Sequence, residues 1–267
     1  MKKLLFQSDD YGISRGVTAG ILDGIANGII KNTGLFVNMQ HSDEAAAKIR
    51  DIDVCLGIDI NLVAGKPVSD PALVPHLLDE SGNFRSSKQI LQQNRLMYSE
   101  GFISRFEDDP YPYEEVLIET ENQLKKFVQL VGRLPEYFHA HSLCTPNTDQ
   151  AARKVAEKYG IYRSFQMIND LNCDHLPCSV GAIKGASLED QLAMDIEQDL
   201  LSVSLPSLKE NRVGYYVCHC GYVDDELFDH TSLTVRRLKD LAGAMSPLVK
   251  EYIEANGIQL ITYRDLQ

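Results

Sequence analysis

Short apolar runs of β-prone residues alternate with stretches of helical period along almost the entire 267-residue chain. Parallel strands need a crossover to return beside one another, and the crossover is usually a helix. Such alternation therefore specifies a parallel sheet covered by helices. Strands are expected at residues 3–7, 33–39, 54–62, 136–142, 161–165, 180–183, 214–218 and 259–262. Helices are expected at 14–28, 43–50, 114–131, 147–159 (capped by Asn147), 188–202 and 232–255. Val17, Ile21 and Ile25 mark the first helix, and Val116, Leu124, Phe127 and Val131 a later one. About seven strand–helix units point to an α/β, TIM-like barrel with its helices outside, in which function gathers at the C-terminal ends of the strands.

Residues 63–112 break the rhythm with Pro67, Pro71, Pro75, Pro110 and Pro112, around a helix expected near 87–105. A stretch this long between core elements is more often functional than idle. It is expected to be a lid or insertion on a single domain spanning 1–267. Its aromatics, Phe84, Tyr98, Phe102, Phe106 and Tyr111, suit sugar stacking or packing against the barrel.

Charge excludes some partners. Twenty-six basic against 38 acidic residues leave a formal net charge of −12, the wrong sign for nucleic acid or an anionic membrane. No run approaches the length of a membrane span, and the apolar run Leu4-Leu5-Phe6 is too short for a signal-peptide core. A cytoplasmic protein with six reduced cysteines is expected. Cys218-His219-Cys220 has a metal-like look, but strand alternation turns His219 away from both thiols.

Polar residues at the expected strand ends carry the chemistry. Asp9 and Asp10 follow the first strand, and adjacent carboxylates call for a cation or proton between them, although a solvated turn or helix cap also uses Asp. Asp59 interrupts the apolar run Leu56–Leu62, where an unpaired acid pays for desolvation unless the position faces outward. His139 and His141 share one strand face, as metal ligands or as ordinary core or surface histidines. His219 follows the strand at 214–218. Asp10, Asp59 and His141 form an oxygen-rich set suited to Mg²⁺ or Mn²⁺, with one imidazole keeping Zn²⁺ or Fe²⁺ open, and metal-assisted hydrolysis is the reaction class to which it belongs.

At these residues the chain resembles the YdjC/ChbG family of carbohydrate deacetylases. Ser8-Asp9-Asp10-Tyr11-Gly12 looks like its opening signature and Leu56-Gly57-Ile58-Asp59-Ile60-Asn61-Leu62 like its L-G-x-H-x-N-L strand. Gly65-Lys66-Pro67, Ser81-Gly82-Asn83-Phe84, the Glu119–Gln123 helix segment, His219-Cys220-Gly221-Tyr222 and the tail from Ile258 to Leu266 follow in the family's order. The resemblance implies a distorted (β/α) barrel that removes an N-acetyl group from a small amino sugar or chitooligosaccharide with a divalent metal. It implies Asp9 as general base, Asp10 as metal ligand, His141 as the first histidine of the family's D-x-H-x-H, and His219 as acid or oxyanion stabiliser. It also makes a homodimer compatible with the chain.

Three departures fall in the site. Asp59 stands where the family has a metal-binding histidine, His139 where it has aspartate, and Leu143 where it has the second histidine; Cys220 also replaces a proline. The expected ligands are then Asp10, Asp59 and His141, with His139 an alternative ligand or a donor behind them. The extra carboxylate favours Mg²⁺, with Mn²⁺ or Zn²⁺ as alternatives. Against the deacetylase stands a sugar-binding or regulatory protein on a degraded site, and behind it another carbonyl hydrolase.

Overall fold

The computed structural model describes residues 1–179 and 187–267. Its elements begin with β1 (Lys3–Tyr11), α1 (Arg15–Asn27), β2 (Asn32–Leu35), α2 (Ser42–Ile49), β3 (Cys55–Ile60), α3 (Ser87–Gln93), β4 (Leu96–Glu100) and β5 (Ile103–Phe106). Next come α4 (Tyr113–Val131), β6 (Phe138–Ala140), α5 (Pro146–Tyr159), α6 (Ser164–Asp170), β7 (Asp174–His175), α7 (Leu188–Ala193) and α8 (Ile196–Asp199). The chain closes with β8 (Val213–Cys218), α9 (Leu227–His230), α10 (Val235–Met245), α11 (Pro247–Ala255) and β9 (Gln259–Ile261).

The α/β class and the parallel sheet are as expected. Among the described residues the strand order is β6-β3-β2-β1-β8-β7, with β9 also on β1. The β1–β8, β1–β9, β7–β8 and β3–β6 pairs are parallel. Every residue of β3 is buried, as strands covered on both faces must be.

The chain divides into two compact units. The first comprises Met1–Gly34, Asp51–Leu56 and Phe165–Gln267. Its core is Leu4, Leu5 and Phe6 of β1 against Tyr215 and Tyr216 of β8, with the Phe6 and Tyr216 rings stacked 5.4 Å apart. Glycine is needed at Gly221, where a Cβ would meet Val17 of α1 at 2.9 Å, so the turn after β8 can lie directly on α1.

The second unit comprises Leu35–Arg50 and Gly57–Ser164. Helix α4 buries Val116, Leu124 and Phe127, and α5 buries Ala151, Ala152 and Val155. The loop after β3 hangs from α4 by buried polar groups. Gln123 accepts from the Asn61 N–H and donates to its carbonyl and to Glu119, while Glu119 accepts the N–H groups of Val68 and Ser69. Asn38 and Asn61 donate to the Ala64 carbonyl, and Phe84 donates its N–H to Gly65 at 2.8 Å. The family-like Asn61, Gly65, Phe84, Glu119 and Gln123 thus build the support under the end of β3.

Several expected elements differ. The helix near 87–105 is only α3, which ends at Gln93 and gives way to the β4–β5 hairpin; Ile90, Leu91, Leu96 and Met97 imitate helical spacing across that boundary. The strand at 161–165 shrinks to one bridge between Phe138 and Arg163 before α6 begins. Thr145, not Asn147, caps α5, its side chain accepting the Thr148 N–H, because Asp109 and the Tyr111 carbonyl engage Asn147. The helix at 232–255 is two helices, broken at Ser246-Pro247. The strand expected at 180–183 lies outside the described residues. Of the aromatics in 63–112, Phe84 and Tyr111 are buried, whereas Tyr98 and Phe102 are exposed.

Candidate active site

In the first unit, β1 carries the two aspartates just before its last residue, Tyr11, both of them buried. Asp10 takes φ +69°, a left-handed conformation that Asp tolerates better than most residues, and Gly12 follows at +94°. The turn away from the strand is therefore made on the acidic pair itself. Asp9 accepts a hydrogen bond from Gln7 Nε2, and Tyr263 OH donates to Gln7 Oε1 at 2.6 Å, which fixes the amide's orientation. Asp10 Oδ2 accepts from Arg237 Nη2 of α10 at 2.6 Å, an ion pair with both side chains 1% exposed. Arg237 Nε also donates to the Leu233 carbonyl, so the guanidinium is held at both ends.

His219 follows β8 directly. Its backbone N–H donates to Asp240 Oδ2 at 3.0 Å, and Arg236 donates to the other oxygen of that carboxylate at 2.6 Å. Helix α10 thereby holds both strand ends of this unit, Asp10 through Arg237 and His219 through Asp240. The buried Nδ1 of His219 has no hydrogen-bond partner among the described residues. All six cysteines are free. Cys218 and Cys220 lie with sulfurs 3.5 Å apart, on one side as alternation requires. Burial, and next the hydrogen bond with Cys220, pushes the Cys218 thiol well up, which disfavours the thiolate a metal would need.

In the second unit, Asp59 on β3 is the register partner of His139 on β6, and both are buried. Register partners on neighbouring parallel strands point to the same face, so a carboxylate and an imidazole stand side by side. Ser164 Oγ lies 2.7 Å from His139 Nδ1, which holds the orientation of the ring. A buried carboxylate beside an oriented imidazole offers donors that a divalent cation takes. His141 lies just past β6, its N–H donating to the Ile60 carbonyl and its ring edge-on to Phe36 at 4.8 Å. Ser142, two residues past β6, takes φ +65°, so a non-glycine left-handed residue lies near the end of this strand as Asp10 does in β1. Leu143 is buried.

Arg237, Gln7, Tyr263 and Ser164 escaped the sequence reading. Only Arg237 carried a signal: a basic pair, Arg236-Arg237, on a helix whose apolar spacing would bury part of it.

A family model described as YdjC-like protein matches residues 3–255. A protein of Thermoanaerobacter pseudethanolicus named carbohydrate deacetylase is 29% identical, covering 100% of both chains. One of the same name from Clostridium beijerinckii is 26% identical over 99% of this chain and 100% of its own. Among solved structures, a candidate cellobiose-phosphate cleavage protein of Enterococcus faecalis V583 shares the fold, with a TM-score of 0.74 at 24% identity over 99% of this chain and 98% of its own.

Proposed function

The chain belongs to the YdjC-like family, and from that premise we propose that it is a metal-dependent deacetylase of a small N-acetylated amino sugar or chitooligosaccharide. The observation that carries this reading is the buried, register-paired Asp59 and His139, with Ser164 orienting the imidazole. Full-length relatives named carbohydrate deacetylase support the reaction class.

Asp59 and His139, side by side in the second unit, are assigned as ligands of a divalent cation. A carboxylate and an imidazole suit Mg²⁺ or Mn²⁺, and also accept Zn²⁺. When bound, the cation supplies Lewis acidity toward the amide carbonyl and lowers the pKa of water. Asp10, held by the Arg237 guanidinium, is assigned as general base for the attacking water, the role that the resemblance implies for its neighbour Asp9. His219 donates a proton to the leaving amine, its position set by the Asp240 grip on its backbone. Acetate and a free amino sugar are the products. His141 takes no ligand position in this assignment, its ring being packed on Phe36.

Acetate release from N-acetylated chitobiose and a panel of related sugars tests the proposal, with Mg²⁺, Mn²⁺ or Zn²⁺ restored after chelation. Turnover is expected with at least one metal. Asp59→Asn is expected to lose metal binding and activity together, whereas Asp10→Asn keeps the metal and loses turnover. Sugar-dependent thermal stabilisation without acetate from any substrate would instead establish a sugar-binding protein and reject the enzyme.

A further inference from the structure

We propose that Tyr263 is a positioning residue for the acidic pair of β1, setting the direction of the Asp9 carboxylate through the side-chain amide of Gln7, an inference that rests on the deacetylase reading for the reaction these carboxylates serve. Strand β9 delivers the tyrosine. Leu5 of β1 and Ile261 of β9 are register partners in a parallel pair, so two residues further along each chain bring Gln7 and Tyr263 level. Asn32 locks them there. Its Oδ1 accepts the Tyr263 N–H at 3.0 Å, while its Nδ2 donates to the carbonyls of Phe6 at 3.0 Å and Ile261 at 3.2 Å. Asp265 Oδ2 then accepts the Thr262 N–H at 2.7 Å and closes the turn that carries the tyrosine.

The chemistry of the three groups sets one arrangement. A carboxylate offers only acceptors, so it takes the NH₂ of an amide and leaves the amide oxygen to another donor. Gln7 Nε2 donates to Asp9 Oδ1, and Tyr263 OH donates to Gln7 Oε1 at 2.6 Å. Gln7 and Tyr263 are sealed from solvent and Asp9 nearly so, which keeps water from competing for these bonds. Without the phenol oxygen the amide is free to turn over, and its own oxygen then faces Asp9 and releases Oδ1.

Burial alone does not call for these polar groups. A phenylalanine and a methionine would fill the same core space and leave no polar atom to satisfy. What the hydroxyl and the amide add is direction. Asp10 has its own anchor in Arg237, so each carboxylate of the pair is held from a different element, Asp10 from α10 and Asp9 from the segment after β9. Misplacing a reacting group by about 1 Å costs on the order of a hundredfold in rate. A buried hydroxyl 256 positions from Gln7 therefore has leverage on turnover without reaching the substrate.

Steady-state kinetics of the full chain test this with Tyr263→Phe, which removes one oxygen, beside Gln7→Met and the double variant. In each, kcat per folded molecule is expected to fall about 10- to 100-fold with KM unchanged, the folded fraction being read from urea unfolding. The double variant is expected to be no slower than Gln7→Met, because the hydroxyl acts only through the amide. In ¹⁵N NMR, the Gln7 side-chain amide signals, identified by their loss in Gln7→Met, are expected to shift in Tyr263→Phe. Wild-type kcat in folded Tyr263→Phe overturns the proposal, as do losses that multiply in the double variant or a Gln7 amide that does not move. Wild type that releases no acetate from any sugar rejects the deacetylase reading and the proposal with it, whereas an active wild type matched by Tyr263→Phe rejects the proposal alone.

Discussion

Arg237 shows how much a single residue organises at the strand ends of the first unit. Its pair with Asp10 is sealed from water, and the two residues are 227 positions apart in sequence. Breaking such a pair on one side strands a charge in a low-dielectric interior. Arg237→Met is therefore expected to cost about 3–5 kcal/mol in urea unfolding. Asp10→Asn combined with Arg237→Met is expected to cost less than the sum of the single changes, and strict additivity would show that the pair is not coupled. The partners of the site were invisible in the sequence for a plain reason. Asp9, Asp10, Asp59, His139 and His219 announce themselves as polar residues in or at the ends of apolar runs, whereas Gln7, Ser164 and Tyr263 acquire meaning only from what they touch.

Helices α4 and α5 illustrate the scale of elements. Glu121 on α4 accepts from Lys158 and from Tyr159 OH of α5, each at 2.9 Å, and pairs with Lys125 on its own helix. The Lys158 and Lys125 ammonium groups hold its carboxyl down, at about 2. The folded protein consequently binds fewer protons at Glu121 than the unfolded chain between the ordinary value of 4.5 and about 2, so this contribution is present above that window and is lost as pH falls through it. Glu121→Gln is expected to flatten the loss of stability between neutral and strongly acidic pH, read from urea midpoints at each pH. Its effect should be small, because the pair is near solvent and screened. An unchanged acid slope would remove Glu121 from the account. The positions and types of these two helices were legible from apolar period. The hairpin that replaces the second half of an expected helix was not, because a short apolar run satisfies either period until its turn chemistry at Gly101 is weighed.

For the whole molecule, metal and stability are linked. A cation that binds only the folded chain at a hundred times its dissociation constant adds about 2.7 kcal/mol, a rise in Tm on the order of 5–10 °C for a protein of this size. Divalent cations are expected to produce such a rise, and Asp59→Asn and His139→Ala to abolish it, as measured by calorimetry after chelation. No rise with Mg²⁺, Mn²⁺ or Zn²⁺ would sink the ligand assignment. Among the described residues no helix is long and apolar enough to cross a membrane, in line with the hydropathy of the chain.

Alternation of strand and helix, read from local periods, was enough to determine the class of fold, the parallel sheet and the small set of polar residues that end its strands. Period also says which side chains share a face within one strand, since that follows from backbone geometry alone. It does not say which residue of one strand stands beside which residue of the next. Parallel neighbours are joined by long crossovers, and their register is settled by how distant segments pack, as Glu119 and Gln123 hold the chain after β3. Only the tertiary structure therefore paired Asp59 with His139 and delivered Arg237 to Asp10.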